Sequence, residues 1–202
     1  AATMATTEPS PAPGTAAHPA LDLANSRLTL PAQREVDHLG TPAGATTWLI
    51  NHSLAPDDAQ LHEVCAERLR TLRHLTRELL ACAAAGRPPR AQSLALVNDT
   101  LRRVPTTETL QWVDEVGFVR GVEHPATYVV DHAMATLAQD LLDLLTGPDR
   151  RQLSACTAPS CTRFFLKVHG RRKWCSVRCG DRVRAARAYA KRAEGRAVSP
   201  GG

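Results

Sequence analysis

The 202-residue sequence has no apolar run that approaches the roughly 18 residues needed to span a bilayer. Its start also lacks a basic region followed by an apolar stretch, so nothing there indicates a secretory signal. Apolar residues make up 43% of the chain and charged residues 22%, a balance typical of a globular protein with a real core. These features predict a protein with no membrane partner.

Patterns that carry catalysis are missing as well. The sequence shows no Ser/His/Asp order typical of a hydrolase and no glycine loop that would cradle phosphates. His62, His74, His124 and His132 have no paired metal-ligand spacing. We therefore expect that the protein is not an enzyme.

Acidic residues are scarce in one part of the chain, residues 150–196. This part holds fourteen Lys or Arg and only two acids, Asp181 and Glu194, while the other residues hold eleven bases and eighteen acids. The formal charge is therefore about +12 on residues 150–196 and about −7 on the remainder. This separation predicts a basic module that binds nucleic acid, joined to an acidic body.

Four of the six cysteines lie in the basic part, as Cys156-x4-Cys161 and Cys175-x3-Cys179. Two close pairs joined by a short loop are the arrangement that places four thiolates around one tetrahedral zinc ion. Four thiolates leave no position for water, so we predict one structural Zn²⁺ and no hydrolytic metal. Thiolates that bind zinc must stay reduced, so we also predict a cytoplasmic protein.

Alternatives remain open for the cysteines. Two short-range disulfides in a secreted protein would use the same four residues, and His169 could replace one of the ligands. Cys65 and Cys82 lie in a helical pattern, and the sequence does not decide whether either is redox-active.

Apolar spacing predicts a mainly α N-terminal domain with one small β-hairpin. Residues recur at three- and four-residue steps over 56–85, over 91–103 and after His124-Pro125, and residues 109–122 read as the hairpin. Gly147-Pro148 closes the last of these helices. The predicted parts are a disordered leader (1–17), a mainly helical regulatory domain (18–147), a zinc finger with a basic helix (150–195) and a disordered tail (196–202).

The C-terminal four-cysteine zinc finger is predicted to consist of a knuckle, a loop or short hairpin, and a helix, in a treble-clef-like order. Phe164, Phe165 and Trp174 form its small core or, alternatively, stack on bases. Asp181 is expected to cap the helix. Basic residues follow at helical steps, and the predicted nucleic-acid contacts are Arg171, Arg172, Lys173, Arg178, Arg182, Arg184, Arg187 and Lys191.

Residues 174–182, Trp-Cys-Ser-Val-Arg-Cys-Gly-Asp-Arg, resemble the signature of the CGNR zinc-finger family. The acidic body resembles the ABATE domain, whose N-terminal motif is approximated by residues 22–26, Asp-Leu-Ala-Asn-Ser. The resemblance implies a stress-linked bacterial transcription regulator whose finger binds DNA. The chain departs from the family pattern at Asp181, which replaces Asn, and at Lys167 and His169.

Residues and resemblance together predict a DNA-binding transcription regulator with an acidic domain for sensing or assembly. Duplex DNA is the expected partner; a zinc-dependent RNA-binding or protein-interaction module and a thiol redox switch are the alternatives. A small-molecule effector and a homodimer are further candidate partners. Asp22, Asn25 and Arg27 are candidates to line a ligand pocket, although capping and surface contacts are the simpler interpretation. The sequence does not specify the DNA target, the effector, the oligomeric state, or activation versus repression.

Overall fold

The computed structural model describes residues 10–29, 34–103, 107–123 and 129–197. They form the α-helices α1 (Pro19–Asn25), α2 (Pro42–Asn51), α3 (Glu63–Ala84), α4 (Ala91–Arg103), α5 (Val129–Thr146) and α6 (Val177–Ala197). Their antiparallel strand pairs are β1 (Arg27–Thr29) with β2 (Glu35–Asp37), β3 (Thr107–Val113) with β4 (Gly117–Glu123), and β5 (Leu153–Ala155) with β6 (Phe164–Leu166). The predicted mainly helical class is confirmed. No helix in the described part of the chain is long and apolar enough to cross a membrane.

Helix α3 begins later than the apolar spacing predicted. The sequence pattern placed its start near residue 56, whereas the helix begins at Glu63. Residues 56–59 form a turn closed by the Ala59 N–H donating to the Pro56 carbonyl. The Leu61 N–H donates to Thr46 Oγ1 on α2. A hydrogen bond to a neighbouring helix thus holds this segment outside α3.

The β3–β4 hairpin has the predicted position. Its strands pair in register from Thr107↔Glu123 to Val113↔Gly117. Trp112 and Phe118 lie opposite each other and make an edge-to-face contact, yet both rings are exposed, Phe118 to 72%. The hairpin therefore presents an apolar face to solvent.

The finger strands share a hydrophobic core with the helical body. One cluster joins α1, α3, α4 and α5 to Leu153, Phe164 and Leu166 of β5 and β6, and a second lies between α2, α3 and α5. Arg77 of α3 lies over the Phe164 ring and donates to the carbonyls of Ala24 and Thr162. The formal charge of the chain changes sign near residue 148, whereas the hydrophobic core continues across that position. The predicted limits of the two domains therefore stay a prediction.

Residues 10–17, which belong to the predicted disordered leader, pack against the finger instead. Ala12 lies in the apolar cluster around the cysteines, and the Pro13 carbonyl accepts a hydrogen bond from the Leu166 N–H. Gly14 has a φ of +96° and a Cβ there would lie 2.5 Å from Leu166 Cγ, so the close approach requires glycine. Residues 1–9, and residues 198–202 of the predicted tail, lie outside the described residues.

Asn25 joins the body to strand β6 by two hydrogen bonds. Its side chain is 4% exposed; Nδ2 donates to the Phe164 carbonyl at 2.9 Å and Oδ1 accepts from the Phe164 N–H at 2.9 Å. An amide is the side chain that offers a donor and an acceptor in this geometry. Asn25 therefore supplies the pairing that a neighbouring strand would otherwise give.

Replacing Asn25 by Asp is expected to lower the free energy of unfolding by about 3 kcal/mol, because the Phe164 carbonyl loses its donor and a charge is buried. Urea denaturation measures the loss. Asn98→Asp, at an exposed position of α4, is the matched control and should change stability little. Equal effects of the two substitutions would contradict the role of Asn25.

His18 joins the start of α1 to α5 and to the turn that follows it. Nδ1 lies 2.8 Å from Asp140 Oδ1, and Nε2 lies 3.2 Å from Asp149 Oδ2. Burial lowers the pKa of His18, but the hydrogen bonds and charges of the two carboxylates outweigh it and raise the pKa above its ordinary 6.5. Protonated His18 therefore stabilises the fold at low pH, and this contribution is lost as the pH rises through the raised pKa.

We expect His18→Gln to cost about 1–2 kcal/mol of unfolding free energy near pH 5.5, where the histidine is charged, and much less near pH 8.5. Denaturation curves at the two pH values test this. His62→Gln, at an exposed position before α3, serves as the control. A His18→Gln penalty that does not depend on pH would refute the assignment.

Candidate metal centre and basic helix

The first cysteine pair lies on the turn between β5 and β6. Cys156 directly follows β5, and its N–H donates to the Arg163 carbonyl at 2.9 Å, which continues the strand pairing. The Cys161 N–H donates to the Ala158 carbonyl, and Ser160 has a φ of 60° that bends the chain back. This tight turn points both sulfurs to the same side.

The second pair lies at the start of α6. Cys175 precedes the helix, and Cys179 is in its first turn, where its N–H donates to Ser176 Oγ at 3.2 Å. Ser176 is therefore the N-cap. The prediction that Asp181 caps this helix is wrong, because the helix begins four residues earlier and Asp181 instead pairs with Arg184 on its surface.

The four sulfur atoms converge on one point. All lie within 4.8 Å of one another, with Cys161 Sγ 3.7 Å and Cys179 Sγ 3.6 Å from Cys175 Sγ. A tetrahedral Zn²⁺ with Zn–S bonds of about 2.3 Å has sulfur–sulfur edges of about 3.8 Å. The donor set therefore fits one zinc ion, and the spacings are far from the roughly 2.05 Å of a disulfide.

Two arginines lie beside the cysteines, one near a sulfur atom and one bonded to backbone carbonyls. Arg163, only 7% exposed, points Nη1 at Cys175 Sγ at 4.0 Å and donates through Nη2 to the Ser10 carbonyl. Hydrogen bonds from the neighbouring thiols, first that of Cys161, and the charge of Arg163 lower the pKa of Cys175 despite its burial. Arg172 donates to the carbonyls of Trp174 and Cys175 and thereby shapes the loop before the helix.

Phe164, Phe165 and Trp174 serve as the core of the finger. Phe165 is fully buried beside the cysteines, and Phe164 is 5% exposed in the core shared with the body. Trp174 is half-buried and packs on Gly180, where a Cβ would lie 3.1 Å from the indole ring. Gly180 thus lets the tryptophan close over the first turn of α6.

The structure separates the predicted nucleic-acid contacts into two groups. Arg172 and Arg182 bond to finger carbonyls, Arg182 reaching that of Pro159 at 2.8 Å, and Arg184 pairs with Asp181. The remaining predicted contacts are exposed, as Arg184 also is: Arg171, Lys173, Arg178, Arg187 and Lys191. Arg163 was not identified from the sequence as a structural residue of the finger, although its position two residues after the ligand Cys161 indicated that it lies near the metal centre.

The candidate pocket residues do not all meet. Asp22 and Asn25 line one cleft of the body, whereas Arg27 pairs with Glu35 on the exposed β1–β2 hairpin and is not among that cleft's lining residues. Asp22 Oδ2 lies 2.8 Å from His52 Nε2, a contact between α1 and the residue after α2 that residue spacing did not reveal.

Comparison with protein families gives two matches along the chain. Residues 17–148 match ABATE, described as "Putative stress-induced transcription regulator", and residues 152–192 match the CGNR zinc finger. The chain belongs to the ABATE family. The ABATE match covers the helical body, and the CGNR match contains all four cysteines, so the protein is a zinc-finger regulatory protein with one structural Zn²⁺. A comparison with curated proteins found no match.

The purified ABATE protein is expected to carry about one zinc ion per chain, because the four thiolates form a closed site. Cys175→Ser should reduce the bound zinc several-fold and expose the finger to proteolysis. Cys82→Ser, which removes a thiol outside the site, should retain full zinc. Zinc content is measured by a colorimetric release assay, and full retention by Cys175→Ser would contradict the ligand set.

Proposed function

We propose that this ABATE-family protein is a DNA-binding transcription regulator in which the CGNR finger holds duplex DNA through helix α6. The observation that carries the proposal is the exposure of α6: it is anchored at the metal centre, and all its residues from 184 to 193 are exposed. A helix that leaves a rigid zinc site without packing on the body has the dimensions to enter a major groove.

The anchoring of α6 is confined to its first two turns. Cys179 is a metal ligand, Val183 packs in the finger core, and Arg182 bonds to the knuckle carbonyl of Pro159. The 21-residue helix is about 30 Å long, so most of it projects beyond the finger. The zinc site thus fixes the direction of a helix whose outer part is available to a partner.

The DNA contacts are assigned to the exposed cations. Arg187 and Lys191 follow each other by one turn and have no ion-pair partner among the described side chains. Arg171 and Lys173 extend the positive surface onto the loop before Cys175. We assign Arg172 and Arg182 to positioning the loop and the helix, because their donors already serve finger carbonyls.

Base stacking is less well supported than groove binding. An RNA-binding mode based on Phe164 would require a ring that lies in the shared core to leave it, and one based on Trp174 would use a half-buried ring that packs on Gly180. A protein-interaction module remains the second candidate, since the exposed basic face would also suit an acidic protein surface.

The acidic body is assigned to sensing or assembly in a bacterial cytoplasm. The exposed apolar face of β3–β4, with Leu110, Trp112 and Phe118, favours an assembly role. A homodimer would double the few base contacts that one finger can offer. The matched families are regulators and zinc fingers and give no support for an enzyme.

The double substitution Arg187→Gln and Lys191→Gln is expected to weaken binding to duplex DNA about tenfold near 100 mM salt. Because each lost phosphate contact removes about 0.9 from the slope of log K against log salt, the slope should fall by nearly 2. Fluorescence anisotropy across a salt series measures both.

The matched control replaces two exposed arginines of the body, Arg87→Gln and Arg103→Gln, and removes the same charge. It should leave the salt slope unchanged. An unchanged slope in the α6 variant, with its zinc content intact, would refute the assignment of contacts to this helix.

A further inference from the structure

A cleft of about 730 Å³ lies where the N-terminal segment, α1, α2 and the finger meet. This is the size range of small-molecule sites. One side is formed by Asp22 and His52, which bond to each other at 2.8 Å, and the His52 ring stacks on Trp48. Arg163 of the finger lines the cleft as well. Body and finger therefore both contribute charged groups to the same space.

Arg163 is the unusual group of this cleft. Its Nε is buried and is the one buried side-chain nitrogen or oxygen without a hydrogen-bond partner in the described part of the chain. Arg163 as a whole is 7% exposed; its Nη2 donates to the Ser10 carbonyl, and its Nη1 lies 4.0 Å from Cys175 Sγ. A buried cation with an unused donor is costly unless an anion or acceptor completes its hydrogen bonds.

The charges of the cleft favour a negative ligand. Asp22 is the only carboxylate among the described residues that line the cleft, and it is already paired with His52. Arg163 has no carboxylate partner among the described residues. A planar guanidinium matches a carboxylate in geometry and charge.

We propose that this cleft binds a small carboxylic acid, with Arg163 as the group that recognises its carboxylate. Asn25, Ser26 and the Asp22–His52 pair then face the remainder of the ligand. This inference does not depend on DNA binding, because the site lies in the body and beside the β5–β6 turn of the finger.

A ligand bound in the cleft would affect the metal centre through direct contacts. Arg163 lies two residues after Cys161 and contacts Cys175 Sγ, and the next residue, Phe164, is held by Asn25. A ligand between Arg163 and the body therefore ties the finger to α1. Hydrogen exchange at the Phe164 amide should slow when the cleft is filled.

The test uses the zinc-loaded full chain and isothermal titration calorimetry with acetate, succinate, glutarate and citrate as probes. At least one carboxylate should bind with a dissociation constant below about 10 mM, and the neutral isostere succinamide should not bind. Inorganic phosphate separates recognition of carboxylates from recognition of any anion. Binding of phosphate alone, or of no probe, would overturn the proposal.

Two neighbouring exposed alanines provide matched variants. Ala16 lines the cleft and Ala17 does not, so Ala16→Trp should weaken carboxylate binding at least about tenfold while Ala17→Trp preserves it. Neither side chain makes a native hydrogen bond, so both variants are expected to fold. Equal affinities in the two variants would overturn the location of the site.

Arg163→Gln gives a direct test of the recognition group, with zinc content measured on the same sample. Loss of carboxylate binding with zinc retained is expected. Retention of binding would overturn the role of Arg163. If this variant loses its zinc, Arg163→Lys, which keeps the charge, replaces it and should bind carboxylate more weakly than the unsubstituted chain.

Discussion

The convergence of four sulfur atoms within 4.8 Å is the constraint on which the C-terminal finger depends. The finger has a small apolar cluster of its own, centred on Phe165, and a module of this size needs a metal to complete its stability. The metal centre also fixes where α6 starts, because Cys179 lies in the first turn of that helix. The direction of the basic helix therefore follows from the coordination of one ion.

The finger and the body are one packed unit as well as two regions of opposite charge. Leu153, Phe164 and Leu166 enter the core formed by the helices, and Asn25 pairs with the Phe164 backbone. The N-terminal segment adds Ala12 to the finger core. A change in the body can thus reach the zinc site through direct contacts, which is the arrangement that the proposed regulator requires.

Local patterns in the sequence predicted the features that depend on short-range spacing. The cysteine pairs, α4, the β3–β4 hairpin and the end of α5 at Gly147-Pro148 all follow from residues close together in the chain. Features set by distant contacts were not predictable in this way. The late start of α3, the packing of residues 10–17 and the pairing of Asn25 with Phe164 depend on groups that meet in the fold. The N-cap of α6 at Ser176 depends on neighbouring residues alone, but the sequence also contained Asp181, a second residue of a type that caps helices.

The most direct test of the central claim is selection of duplex DNA from a random-sequence library by the zinc-loaded protein in about 150 mM salt, where nonspecific electrostatic binding is weakened. The account predicts retention of duplex DNA and enrichment of a short motif, repeated if the protein binds as a dimer. Retention that depends on zinc would place the binding on the finger and α6. Failure to retain duplex DNA above background would contradict the account and favour a protein partner for the basic helix.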